Sequence, residues 1–291
     1  MSPPGAPLGD APSIRPRDGN TPAAADAASS EQQSAAPAAA ARSVFKAVIF
    51  DLDNTLADAT LVGREAFEPA FEAVRQANAG HLTEAQLQCA FDACWHTAFY
   101  TVAAEHDFSP EMTEAGAQAF RHLAVPKDAG YRGYDDLPLV PLLPLSRYLV
   151  TSGFRGFQDS KVDALGIREH FDGIEVDDPE DHLPAAGPGK TPLFEKIRAQ
   201  QNWGVHEIAV VGDNPHSEIA VGNRLGMTTV QVLRPRVEPS AEANYRINDL
   251  SELWATLGIA QLPPQQVFAS ASPAAPAAAS ASASASDEPG A

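Results

Sequence analysis

Short runs of consecutive apolar residues alternate along this chain with segments whose apolar positions recur every three or four residues. The runs are Val44–Asp51 (VFKAVIFD), Arg147–Thr151 (RYLVT), Gly173–Val176, Glu207–Gly212 (EIAVVG) and Thr228–Leu233 (TTVQVL). A strand that is apolar on both faces has to be covered on both, so these runs predict buried strands of a parallel sheet. Helical spacing predicts helices over Gln158–Leu165, Pro192–Gln201, Ser217–Leu225 and Leu250–Leu257. Gly166 and Gly226 fall where a left-handed C-terminal cap is expected. The expected fold class is α/β, a three-layer parallel sheet with helices on both faces.

One stretch breaks the alternation. Arg64–Ala79, Thr83–Ala104 and Pro110–Leu123 all show helical spacing, with no convincing strand among them. A block of helices after the first strand of an α/β unit reads as a second, helical lobe. The expected organisation is a core of 44–59 and 136–262 with a helical lobe at 60–135. Residues 1–43 and 263–291 are dominated by Pro, Ala, Ser and Asp, interrupted at Pro3, Pro4, Pro37, Pro273 and Pro276. They carry too little apolar surface to offset chain entropy and are expected to be disordered tails.

Composition narrows the function classes. The chain has 38 acidic and 20 basic side chains, a formal net charge of -18, which argues against nucleic-acid binding through a basic surface. Its two cysteines, Cys89 and Cys94, form no disulfide framework and read as small hydrophobes in or near a core. The histidines show no i, i+4 pair, which argues against a zinc site. No apolar run approaches the roughly 20 residues of a membrane helix. The N-terminal stretch lacks a signal-peptide core and carries Asp10, Asp18 and Asp26, so the expectation is a cytoplasmic protein with no membrane partner. Oligomeric state is not legible.

The candidate chemistry lies at the carboxyl ends of the strands, where open α/β sheets gather their ligands. The first strand ends in Asp51-Leu52-Asp53-Asn54-Thr55, the second in Thr151-Ser152-Gly153, and the fourth in Gly212-Asp213, with Glu218 following; Lys190 precedes a helix. Each alone has a plain explanation as a turn, a helix cap or a solvated charge. Together they put carboxylates, hydroxyls and one ammonium on a single sheet edge. Gathered carboxylates repel unless a cation joins them, and oxygen ligands suit magnesium. Magnesium, a lysine and hydroxyl or amide donors make a phosphoryl site. Gly187-Pro-Gly-Lys-Thr looks like a nucleotide-binding loop, but Pro184 stands where that pattern needs its first glycine.

These residues resemble the four motifs of the haloacid dehalogenase superfamily, in order, over about 44–260: Asp51-x-Asp53-x-Thr55, then Thr151, then Lys190, then Gly212-Asp213 with a later acid, Glu218. The later acid is Glu rather than the commoner Asp. The resemblance implies a Rossmann-like core and a phosphatase of small phosphate monoesters: sugar phosphates, phosphoglycolate-like compounds or nucleoside monophosphates. It implies that Asp51 attacks phosphorus to form an aspartyl-phosphate. Asp53 would be the general acid, then the general base. Thr151, Ser152, Gly153 and Lys190 would hold the transferring group. Mg2+ would be held by Asp51, the Asp53 carbonyl and Asp213, with Glu218 at the outer part of the site. Dehalogenases of the superfamily lack an acid at the position of Asp53, so its presence favours ester hydrolysis. The position of the helical lobe implies a cap that closes over a small substrate. Within it Trp95, His96, Phe99, Tyr100, His106 and Arg64 are candidate contacts, though aromatics at helical spacing usually pack a core. A phosphomutase shares the same motifs and is the alternative, followed by a binding protein that kept the fold.

Overall fold

The computed structural model describes residues 43–95, 97–126, 130–182 and 189–260. The two expected tails lie almost wholly outside the described residues, as does His96. Six strands form one parallel sheet: β1 Ala47–Phe50, β2 Ser146–Ser152, β3 Gly173–Asp177, β4 Ile208–Gly212, β5 Thr228–Val232 and β6 Tyr245–Ile247, in the order β3-β2-β1-β4-β5-β6. This is a Rossmann-like α/β fold.

Strand side chains alternate between two cores, as the period of two requires. Val48, Phe50, Leu149, Val211, Val230 and Val232 enter one cluster. Ile49, Tyr148, Val150, Ile208 and Val210 enter the other. The helices between β1 and β2 are α1 Glu68–Ala77, α2 Glu84–Ala93, α3 Phe99–Glu105 and α4 Pro110–Arg121; the later ones are α5 Arg155–Leu165, α6 Thr191–Gln201, α7 Ala220–Leu225 and α8 Leu253–Thr256. On the first face lie α5, through Val162, and α8, through Leu253 and Trp254. On the second lie α6, through Phe194 and Ile197, and α7, through Val221. Gly166 (φ 65°) and Gly226 (φ 77°) end α5 and α7 in the left-handed conformation that their lack of a Cβ permits.

The four helices between β1 and β2 make a separate cluster around Phe71, Val74, Phe91, Phe99, Met112 and Phe120. Phe154 and Phe157, just beyond the end of β2, join it from the core; Phe120 stacks on Phe154 at 5.4 Å. The helical insert therefore rests on the chain that leaves the carboxyl edge of the sheet.

Several elements differ from expectation. The segment Thr83–Ala104 is two helices, because Trp95, packed edge-on to Phe67 at 4.6 Å, and Phe99, 4.8 Å from Phe120, both serve the insert core across a bend. Their spacing of four mimics one helix. Ser217–Leu225 likewise breaks: Ser217 leaves helical geometry (φ −109°, ψ −106°) before α7 begins. β6 went unread because two of its three residues are exposed. Cys89 is exposed rather than core, while burial pushes the Cys94 thiol up to about 12. Among the described residues no helix is long and apolar enough to cross a membrane.

Candidate active site

The strand register builds the site. Phe50 lies opposite Leu149 on β2 and Val211 on β4. Asp51 is one residue past Phe50, so Thr151, Gly212 and Asp213 arrive at the same edge. The Asp51 amide still donates to the Val211 carbonyl at 2.9 Å, which fixes its backbone to the sheet. The chain then turns sharply: the Leu56 amide reaches the Leu52 carbonyl at 2.9 Å, and Asn54 sits at φ 56°. Asn tolerates that left-handed position better than most residues. The turn keeps Asp51 and Asp53 on one short loop.

Lys190, at the start of α6 and 3% exposed, donates to Asp51 Oδ1 at 2.5 Å and to Glu218 Oε2 at 3.1 Å. The other Glu218 oxygen accepts from the Asn214 amide at 2.7 Å. A Cβ on Gly212 would collide with the Glu218 carboxylate, so glycine is what admits this glutamate beneath β4. Thr55 Oγ1 lies 3.5 Å from Asp51 Oδ2 and 3.3 Å from Asp213 Oδ1, and its single proton serves one of them at a time. Carboxylate oxygens of Asp51, Asp213 and Glu218 lie within 4.8 Å of one another.

These carboxylates perturb each other. Burial, with the charges of Glu218 and Asp53, pushes Asp51 up to about 7 against the pull of Lys190. Burial and the charges of Asp51 and Glu218 push Asp213 up to about 8. Burial lowers Lys190, but Asp51 and Glu218 outweigh it and hold the ammonium above its ordinary range. Three carboxylates face one ammonium, and all donors are oxygen. That set fits a divalent hard cation.

The remaining sequence candidates are placed less simply. Thr151 is buried near the end of β2. The Ser152 hydroxyl donates to Asp177 Oδ2 at 3.0 Å, and the Gly153 amide donates to the Asp177 carbonyl at 3.1 Å. Both donors are engaged with β3 rather than turned to Asp51. In the insert, Arg64 is exposed and pairs with Asp92 at 3.0 Å, while Tyr100 donates to Glu180 at 3.0 Å.

Sequence reasoning missed four groups. Lys161 on α5, 5% exposed, grips both Asp53 oxygens at 2.9 and 2.7 Å. Gln158, one turn earlier, donates to Asp53 Oδ2 at 3.3 Å and to the Ser152 carbonyl at 2.7 Å. Arg234, beyond β5, donates to the Thr55 carbonyl at 3.0 and 2.8 Å and clasps Asp136 at 2.8 and 2.9 Å. Tyr131 is buried two residues before Gly133, which bridges the same loop at Ala57. The signal for Lys161 and Gln158 was their place one to two helical turns after Thr151-Ser152-Gly153; their polarity alone suggests a solvated face.

The sequence matches the profile of haloacid dehalogenase-like hydrolases over residues 45–226. The chain belongs to that family. Members of the family are hydrolases, and a hydrolase of this family is what the described fold and edge cluster accommodate. Among solved structures, the chain is similar to a haloacid dehalogenase-like family protein of Streptococcus pneumoniae, with TM-score 0.54, 16% identity, and 73% of this chain and 98% of that one covered. It is also similar to a subfamily IA, variant 1 hydrolase of Geobacter sulfurreducens, with TM-score 0.50, 17% identity, and coverage of 74% and 97%. At these identities the likeness concerns the fold. No curated protein sequence matches the chain.

Proposed function

We propose that the chain is a magnesium-dependent phosphatase of small phosphate monoesters that works through an aspartyl-phosphate on Asp51. The observation that carries this reading is the convergence of Asp51, Asp213 and Glu218 around Lys190, with a fourth carboxylate, Asp53, two residues past Asp51 on the same loop.

Asp51, with the Asp53 carbonyl and Asp213, would hold Mg2+, and Glu218 would support it from behind. When bound, the cation supplies positive charge against which phosphoryl oxygens develop their negative charge. The chain's own residues do the rest. One Asp51 oxygen attacks phosphorus as the ester oxygen departs, and Asp53 gives that oxygen its proton. Lys190 offsets the charge gathered around Asp51. The Thr151 hydroxyl holds a transferring oxygen. Water then attacks the aspartyl-phosphate, Asp53 takes its proton, and phosphate leaves with Asp51 restored. An acid at position 53 serves an alkoxide leaving group, which needs a proton, better than a halide, which does not.

The helical insert serves in this reading as a cap spanning about 60–135. It excludes water while the phosphoryl group moves, which suits a small metabolite better than a protein substrate. Its contacts with Phe154 and Phe157 beyond β2, and with Glu180 beyond β3, support this reading.

The test is phosphate release from a panel of phosphomonoesters by the purified protein with Mg2+ and with chelator, beside the Asp51→Asn variant. The reading expects Mg2+-dependent turnover that the variant abolishes, with phosphate trapped on the wild-type chain in acid-quenched reactions. No release by the wild-type chain from any ester would sink it.

A further inference from the structure

We infer that Tyr131 and Gln158 form a subsite that reads a hydroxyl on the leaving alcohol, one or two carbons from the ester oxygen. The inference rests on the phosphatase reading and narrows its substrate to a polyol or sugar phosphate.

Two buried polar atoms carry it. The Tyr131 hydroxyl and Gln158 Oε1 have no hydrogen-bond partner among the described residues, although both side chains are more than nine-tenths buried. The Gln158 amide is oriented by its neighbours. Its nitrogen donates to two acceptors, Ser152 O and Asp53 Oδ2, so its oxygen is the unpaired end. That oxygen is one amide width from the nitrogen touching Asp53. Tyr131 is placed by backbone pairing: Gly133, two residues on, bridges Ala57, which itself bridges Asp53, and the Tyr134 amide donates to the Leu56 carbonyl at 2.9 Å. After burial, the charges of Asp53 and Asp51 are the main influences raising the tyrosine above its ordinary range, in keeping with that position.

Buried polar atoms without partners are costly and are rare in native folds. Here Gln158 touches the carboxylate that gives the leaving oxygen its proton, and Tyr131 lies two residues before the bridge to that carboxylate's loop. Their chemistry selects the ligand group. Gln158 Oε1 only accepts, whereas a tyrosine hydroxyl donates and accepts. An alcohol can donate to the first and accept from the second. A carboxylate would satisfy the tyrosine but set acceptor against acceptor at the amide oxygen, which disfavours phosphoglycolate-like esters. A site built for a hydroxyl rejects an analogue lacking it far more strongly than an apolar pocket rejects an added group.

The experiment measures kcat/KM for glycerol 2-phosphate, isopropyl phosphate, 2-phosphoglycolate and p-nitrophenyl phosphate, in wild type and in Tyr131→Phe, together with thermal melting. The wild-type chain is expected to favour glycerol 2-phosphate over isopropyl phosphate by about tenfold or more. The variant should bring that ratio towards one and melt no lower than wild type, because it removes a hydroxyl with no partner among the described residues. A wild-type ratio near one, a ratio that survives Tyr131→Phe, or 2-phosphoglycolate as the preferred substrate would overturn the subsite while leaving the phosphatase reading intact. A clear fall in melting temperature would overturn it too, by showing that the hydroxyl is structurally bonded. Turnover of none of the four esters overturns the subsite, and no release from the wider panel of phosphomonoesters either would sink the phosphatase reading with it.

Discussion

At the residue scale, Asp51 and Asp53 lie two positions apart and differ in everything in their surroundings. Asp51 lies against Lys190 with two further carboxylates beside it; Asp53 instead meets the buried Lys161 and Gln158. Their substitutions should therefore separate. Asp51→Asn is expected to lose activity on every ester. Asp53→Asn should cost about 10²–10⁴-fold on alkyl phosphates, the usual value of general acid–base help. The loss should be smaller on p-nitrophenyl phosphate, whose leaving group needs little protonation. Steady-state rates on both ester types, with acid-quench trapping of phosphorylated Asp51, check this; an equal loss on both would remove Asp53 from the proton transfer to the leaving group. The motif residues were legible because chemistry restricts them to few types at fixed spacing. Lys161 was not. A lysine on a helix after a turn looks solvated in any sequence, and only the fold brings it onto a carboxylate more than a hundred positions earlier.

At the element scale, the loop after β1 is held from outside by Arg234. Its guanidinium joins the Thr55 carbonyl to Asp136, whose carboxylate also accepts the Leu250 amide at 2.8 Å. One buried pair thus ties together the motif loop, the chain entering β2 and the start of the C-terminal helical turn. Arg234→Met leaves Asp136 buried without its partner, for which losses of about 3–5 kcal/mol are typical. Urea denaturation should register that loss, and Arg234→Met with Asp136→Leu together should recover part of it; additive losses in the double variant would mean that the pair is not coupled. Four strands of the sheet were readable because each is an apolar run long enough to require cover on both faces; β3, in which only Val176 is buried, gave a weaker signal. β6 was not readable, since an edge strand of three residues with an exposed tyrosine and arginine has no such need. The breaks after α2 and before α7 were hidden because aromatic contacts and a displaced serine leave the helical period intact in the sequence.

At the scale of the molecule, acidity and the carboxylate cluster meet in a pH dependence. Asp51 and Asp213, raised to about 7 and about 8, bind protons more tightly in the fold than in the unfolded chain. Their contribution to metal-free stability is present below the ordinary carboxylate range and is lost as pH rises through about 7 and 8. A divalent cation that binds only the fold adds stability, and protons compete for the same oxygens. The difference in melting temperature with Mg2+ and with chelator should therefore widen from pH 5.5 to pH 8.5. Carboxylates held low elsewhere, such as Asp58 and Glu180, act with the opposite sign but equally in both conditions, so they cancel in the difference. A gap that is flat or narrows over that range, or one that persists in Asp213→Asn, would place the cation elsewhere.

The sheet order also has a consequence for synthesis on the ribosome. β1 is buried along its whole length and sits between β2 and β4, with Ala47 paired to Ser146 on one side and Ile208 on the other. At ordinary elongation rates its second neighbour emerges on the order of ten to thirty seconds after it. Through that interval an apolar strand with an unmatched edge is exposed to other nascent chains. The insert's four helices emerge meanwhile and can pack locally. The carboxylate cluster waits for β4, because Asp213 and Glu218 are the last of its groups to be made. Release of a chain shortened before Ile208 should therefore yield aggregation rather than a weak enzyme, and holding chaperones are expected to matter most for the stretch between the first strand and the fourth.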